Sequence, residues 1–351
     1  MPGLPKENLR PTDPQAWKKV PAFKVCKQLI TSFSTTTRHR NPPNPNKTQH
    51  VRLITIGPSN FCEKARWALD ILDNDPASPV YYTEDAHPPV FQSIGTLEAS
   101  NGKASMVPMV IYNDAGKNKV IYNSQNIVEE FCPFLYPAQQ KAEILKLEEY
   151  FGSHVGATIR CYLYHVMLKP EYHALLANLL TAQSSSIEKL IWGKLLDNGV
   201  SKGMKKVMGI NLGSAEASLN TLRNVFDEVS ERLKLKGGSK KKYIMDTETK
   251  EVGFTAADLA FCSLASAAIN PPELSQFNPI EEDKIPPELL LLRDELRKTL
   301  AGQHVLEIYR ERRNNVVPKV VNRDRLPWGG IVAVGVGIGA CTAGITYTSK
   351  L

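Results

Sequence analysis

Val51-Arg-Leu-Ile-Thr-Ile-Gly-Pro-Ser-Asn-Phe-Cys-Glu-Lys-Ala-Arg-Trp-Ala-Leu69 contains two hydrophobic periods separated by a turn. The β-branched run 51–56 reads as a strand, and Gly57-Pro58 ends it. From Ser59 the spacing changes: Phe61, Ala65, Ala68, Leu69 and Leu72 recur at helical intervals. Ser59 stands where such a helix starts and suits that place, because a hydroxyl can accept from an orphan N–H of the first turn.

Further along, Val80–Thr83 forms a second short strand. Residues 84–106 read as a long polar connection containing His87-Pro88-Pro89. Pro108–Tyr112 and Lys119–Tyr122 flank Asn113-Asp-Ala-Gly116, a hairpin signature. Ser124 is read as the cap of a helix ending near Phe131. Strand, helix, strand, connection, hairpin and helix together make an α/β unit over residues 51–132.

Past Pro133 and Pro137 the pattern becomes helical over 138–314, with apolar stripes at Ile144, Leu147, Phe151, Val155 and at Leu219, Leu222, Val225, Phe226, Val229, Leu233. A last helix falls within 287–313. In Thr255-Ala-Ala-Asp258 a hydroxyl and a carboxylate bracket the start of another helix, so Asp258 is assigned to folding.

The chain of 351 residues is 42% hydrophobic and 23% charged, which excludes a collagen-like, wholly disordered or multi-span membrane protein. Its net charge of +7 is local. Residues 1–50 carry nine Lys/Arg against Glu7 and Asp13, and the rest carries 34 against 34. The balanced body offers no nucleic-acid groove. The 1–50 arm, basic and rich in Pro, Ser and Thr, reads as disordered, with an organelle transit peptide as the alternative. Six scattered cysteines without a C-x-x-C pair fit a reduced intracellular protein, and the histidines show no metal spacing.

Leu326–Ser349 holds 24 residues without a charge, long enough to cross a bilayer, so 327–348 reads as a membrane-spanning tail. Basic residues gather before it, from Arg310 to Arg325, which would keep the body cytosolic. Ser349-Lys350-Leu351 is also the peroxisomal import tripeptide, an address that an inserted tail would hide.

Taken together, Ser59-Asn-Phe-Cys-Glu-Lys-Ala-Arg-Trp-Ala-Leu69, Val107-Pro108, Asn123-Ser124 and Phe254-Thr-Ala-Ala-Asp258 resemble a cytosolic-type glutathione transferase, of the branch whose first helix opens Ser-x-x-Cys/Ser-Glu-Lys-x-Arg-Trp-Ala-Leu. The resemblance covers about 51–313. It implies a thioredoxin-like N-terminal domain followed by an all-α C-terminal domain, to which this chain adds a C-terminal transmembrane helix. It also implies a homodimer, glutathione as co-substrate with no other cofactor, and an electrophilic small molecule as second substrate.

By that resemblance Ser59 stabilises the glutathione thiolate, and the physics agrees. The thiolate is the nucleophile, and a helix N-terminus supplies partial positive charge. A plain capping serine is the alternative. Val107-Pro108 resembles the family's cis-proline turn, which presents backbone to the cysteinyl unit. Asn123-Ser124 stands where relatives often have Glu/Gln-Ser, which bind the γ-glutamyl group. Asn123 departs from that pattern in charge and reach, and an ordinary turn residue is its other reading. Cys62, in the Ser-x-x-Cys spacing, reads as a packed thiol, although reactivity there would make the chain a thiol-transferase. Arg160, Tyr162, Tyr164 and His165 form a polar-aromatic cluster, assigned to a solvated or packed face. A function of another class also fits the resemblance: a non-catalytic, tail-anchored adaptor of the same fold at an organelle membrane.

Overall fold

The computed structural model describes residues 46–89, 91–185, 188–190, 192, 201–235, 240–275 and 280–313. Residues 1–45, the span 327–348 and Ser349-Lys350-Leu351 lie outside them, and among the described residues no helix is long and apolar enough to cross a membrane.

Strand β1 (Gln49–Thr55) is central, which explains its nearly continuous apolar run: Val51, Leu53 and Ile54 are fully buried. Helix α1 (Asn60–Asn74) carries the chain across to β2 (Val80–Ala86), which pairs parallel to β1 from Gln49↔Val80 to Thr55↔Ala86. A parallel pair requires such a crossover. The arm boundary at residue 50 therefore falls inside β1. Lys47 also belongs to the body: its Nζ donates to the carbonyls of Leu72 (2.8 Å) and Asp75 (2.7 Å) at the C-terminal end of α1.

The connection expected over 84–106 is corrected in two ways. Strand β2 runs on to Ala86, because Glu84 and Asp85 find cationic partners within the fold. Helix α2 (Phe91–Ala99) then follows Pro88-Pro89. Strands β3 (Met109–Asp114) and β4 (Lys117–Tyr122) complete a four-stranded mixed sheet of order β2-β1-β3-β4. Their hairpin turns at Ala115 (φ 49°) and Gly116 (φ 84°), with the Asn113 Oδ1 accepting from the Gly116 N–H at 2.9 Å. Two successive positive φ values match the right-handed strand twist. Helix α3 (Ser124–Phe131) closes the unit, and Asn123 rather than Ser124 is its cap.

The second half is helical. Helix α4 (Lys141–Phe151) passes through a π-turn at Gly152–Gly156 into α5 (Ala157–Met167). Helices α6 (His173–Thr181) and α7 (Ser201–Val207) lie in the segment before the long α8 (Leu212–Leu233). Helix α9 (Ala256–Ile269) is the buried centre, where Phe261 packs its ring 5.2 Å from Phe151 and 5.5 Å from Phe226. Asp258 accepts from the Thr255 N–H (3.0 Å) and hydroxyl (2.9 Å) and from the Ile244 N–H (2.7 Å), so its work is structural.

The single helix expected within 287–313 is two, α10 (Pro287–Arg297) and α11 (Leu300–Arg312), with Thr299 capping the second. Gly302 makes this corner possible, because a Cβ there would lie 2.0 Å from the Leu296 carbonyl oxygen. Gly302→Ala is expected to cost at least the roughly 1–3 kcal/mol of an overpacked site, read as a lower thermal midpoint.

One apolar core joins the two halves through α1, α4, α8, α9 and α11. Trp67 sits at the seam, its ring 4.7 Å from that of Tyr309. The N-terminal half thus has the thioredoxin-like arrangement of sheet and helices, and the C-terminal half is all-helical.

Candidate active site

The sheet register brings three loops to one end. Ile54 pairs with Met109, which in turn pairs with Tyr122. The chain leaving β1 (Ile56–Ser59), the chain entering β3 (Val107-Pro108) and the chain leaving β4 (Asn123-Ser124) are therefore neighbours at that edge.

Ser59 has extended backbone (φ −71°, ψ 124°), and its Oγ accepts weakly from the Cys62 N–H at 3.4 Å. Accepting uses lone pairs, so the hydroxyl still carries a proton that it can donate. Val107-Pro108 is a cis peptide bond, and Pro108 is buried behind the half-buried Val107. Asn123 has φ 76°, a conformation in which a short polar side chain is tolerated better than most. Its Oδ1 accepts from the Gln125 N–H at 3.1 Å, which leaves the amide NH₂ exposed at the edge. Ser124 is buried in the first turn of α3.

Between the halves lies a cleft of about 370 Å³ with predominantly apolar walls. Ser59 and Val107 line it; Pro108, Asn123 and Ser124 do not. Leu163, Met167, Leu176, Leu179, Leu180, Met204 and Met208 form its helical wall, supplied by α5, α6 and the chain around α7. The helical half also reaches the Ser59 loop itself, since Gln183 comes within 3.0 Å of where a Cβ on Gly57 would stand.

Two cleft residues come from the polar-aromatic cluster that the sequence reading set aside. Arg160 and Tyr164, one turn apart on α5, both line the cleft. Tyr162 and His165 do not. The i, i+4 spacing was the signal that could have separated the pairs. Burial pushes the Tyr164 phenol up to about 12, with Arg160 opposing, so it stays a proton donor at neutral pH.

Beneath Ser59 the charge is buried and paired. Arg66 donates from Nε (2.9 Å) and Nη2 (2.6 Å) to Glu84, from Nη1 to Glu63 (2.7 Å), and from Nη2 to the Gly57 carbonyl (3.1 Å). Thr55 adds a hydroxyl to Glu84 at 2.6 Å. From the other end of the chain, Arg313 donates to Glu63 (2.8 Å) and Asp70 (2.7 Å). Burial alone would push the Glu63 carboxyl up, but Arg313 and Arg66 outweigh it and hold it below the usual range. The same buried helix is tied to the second half by Asn60, whose Nδ2 donates to the Leu264 carbonyl at 3.0 Å, and by a Lys64–Glu148 pair at 2.6 Å.

Cys62 shares the first turn but is fully buried. Burial drives its thiol up to about 11, and the Ile56 backbone, Ser59 and Arg66 only partly pull it back. Its thiolate is therefore scarce at neutral pH. Of the four described cysteines, half-buried Cys161 is expected to take up iodoacetamide first at pH 7.5. Cys62 should label only on denaturation, as followed by peptide mass. Rapid native labelling of Cys62 would contradict its burial. Among the described residues no group of three or more His, Cys, Asp or Glu could hold a metal ion.

Neither a protein-family model nor a curated protein sequence matches the chain. Among solved structures it is similar to glutathione transferase F2 from Populus trichocarpa, at 14% identity over 74% of this chain and 99% of that one, with a TM-score of 0.39. It is also similar to a theta class glutathione S-transferase from Xanthomonas axonopodis pv. citri with glutathione bound, at 17% identity over 73% and 96% of the two chains (TM-score 0.41). Ure2p in complex with glutathione is similar at 13% identity over 79% and 98% (TM-score 0.41).

Proposed function

We propose that this chain is a glutathione transferase that adds the glutathione thiolate to an electrophilic small molecule. The observation that carries the reading is Ser59. It caps α1 at the mouth of an apolar cleft, shares that cleft with Val107 of the cis peptide bond, and keeps a hydroxyl proton to donate. A thiol placed there meets a directed donor and the positive end of a 15-residue helix, both of which favour its ionised form. The Val107 backbone positions the peptide. Asn123, with its free amide, and Ser124, in the first turn of α3, hold the γ-glutamyl end. The sulfur then forms a bond to the electrophilic carbon, while the electron pair moves onto the acceptor and is protonated by solvent. Orientation and thiolate generation supply the acceleration. Homodimerisation belongs to the same proposal.

The test is glutathione binding by the full chain, with the ultraviolet absorbance of the ionised thiol followed against pH. Binding with a thiol that ionises well below free glutathione supports the reading. Absence of binding at millimolar glutathione sinks it and leaves the non-catalytic adaptor.

A further inference from the structure

The second substrate can be described further than "electrophilic". This inference rests on the transferase reading, but its first test is independent of it. Three guanidinium groups line the cleft, and one differs from the others. Arg66 is buried and paired beneath Ser59. Arg293 is satisfied, donating to Glu282 at 2.8 Å and to Asp294 at 3.0 Å. Arg160 is exposed and has no carboxylate partner among the described residues. Its guanidinium carbon stands 5.8 Å from the Phe61 ring centroid, so the charge rests over an aromatic face two residues beyond Ser59. Phe61 is itself fixed, because it fills the space where a Cβ on Gly156 would stand, 2.6 Å away. Tyr164, one turn along α5 from Arg160, adds a phenol that keeps its proton.

We infer that Arg160 and Tyr164 form a carboxylate clamp at the apolar cleft, and that the preferred acceptors are amphiphilic electrophiles with an apolar body and a carboxylate head. A planar guanidinium and a neutral hydroxyl donor together match a carboxylate, and the surrounding apolar wall strengthens that pairing. The apolar lining of Leu176, Leu180, Met204 and Met208 receives the body. In the reaction the glutathione sulfur bonds to the β-carbon of a conjugated ketone. The carbon–carbon π pair shifts into the bond to the carbonyl carbon, the C=O π pair moves onto oxygen as an enolate, and a solvent proton taken up at the α-carbon restores the ketone. No oxidant or reductant is consumed, and the carboxylate is unchanged.

The probe for binding is the saturated dihydro form of ethacrynic acid, an aryloxyacetate that cannot add a thiol, compared with its methyl ester. Titrated into the full chain without glutathione, the acid is expected to bind about tenfold more tightly than the ester, the scale of one charge-assisted hydrogen bond. Arg160→Gln should remove that preference while leaving ester affinity in place, and Tyr164→Phe should reduce it in part. With glutathione present, ethacrynic acid should likewise exceed its ester in kcat/KM, the difference lying in KM and vanishing in Arg160→Gln. Equal wild-type affinity for acid and ester overturns the proposal. So does an equal loss of both ligands in Arg160→Gln, which would mark a packing role. Lost glutathione affinity in that variant would assign Arg160 to the peptide's own carboxylate instead, and overturn it too. If the acid preference holds while glutathione fails to bind, the clamp stands and only the transferase reading falls.

Discussion

In the Ser59→Ala chain, the thiol of bound glutathione is expected to ionise about one to two pH units higher than in the wild type. A hydrogen bond to a charged acceptor is worth roughly 1.5–3 kcal/mol, and each pKa unit corresponds to about 1.36 kcal/mol. The helix N-terminus remains in the variant, so part of the depression survives the loss of the hydroxyl. The sign fixes the pH window. Between the two pKa values the wild type is mostly thiolate and the variant is not, and below both the ratio of thiolate persists, so kcat/KM falls roughly 10- to 100-fold there. Above both pKa values the two chains converge. Replacing a half-buried serine by alanine leaves the core untouched, so unfolding cannot mimic this pattern. A thiolate absorbance curve that coincides for the two proteins would remove Ser59 from the chemistry.

Arg66→Leu should produce the largest loss of stability. The guanidinium is buried and serves four acceptors: both oxygens of Glu84, one of Glu63 and the Gly57 carbonyl. Removing one partner from a buried ionic group costs about 3–5 kcal/mol, because the charges left behind stay buried. For a protein of this size that lowers the thermal midpoint by about 5–10 °C. The pH dependence separates this from simple loss of packing. In the wild type the depressed Glu63 pKa contributes stability above its unfolded pKa, and that contribution is lost as pH falls through the folded value. In the variant Glu63 keeps Arg313 but loses Arg66, so its carboxyl moves up and less of that contribution remains as pH rises. The deficit against the wild type should therefore widen from pH 5 to pH 7.5. A deficit constant across that range would mean that the guanidinium acts only by filling space.

The difference between what sequence periodicity can and cannot show is clearest at α1. Its start was legible, because Gly57-Pro58 and a hydroxyl punctuate a change of period. Its charged residues were not. Periodicity presumes one wet face, whereas Glu63, Lys64, Arg66 and Asp70 are all buried, since α1 lies between the sheet and the helical half. Their partners Glu84, Glu148 and Arg313 come from other elements, and no local spacing announces such pairs. Helix α2 escaped notice for a simpler reason: Gln92, Ser93, Gly95 and Thr96 dilute its few apolar residues below a readable stripe. At the site, Ser59, Val107-Pro108 and Asn123-Ser124 stood out as punctuation, and the register Ile54↔Met109↔Tyr122 shows why such distant punctuation meets. Arg160 and Tyr164 were visible as residue types, but their direction depends on how α5 rotates after the π-turn at Gly152–Gly156, which composition does not encode.

Arg313 caps α11 and is the last of the described residues. Its guanidinium grips Glu63, one turn beyond Ser59, and Asp70 on the same helix, while its carbon lies 5.5 Å from the Trp67 ring centroid. The end of α11 is therefore riveted to α1. Any displacement of the end of α11 is felt first by the helix that carries Ser59. Such a displacement competes with the Glu63 and Asp70 contacts, so the last turn of the helical half is geared to the helix that Ser59 caps.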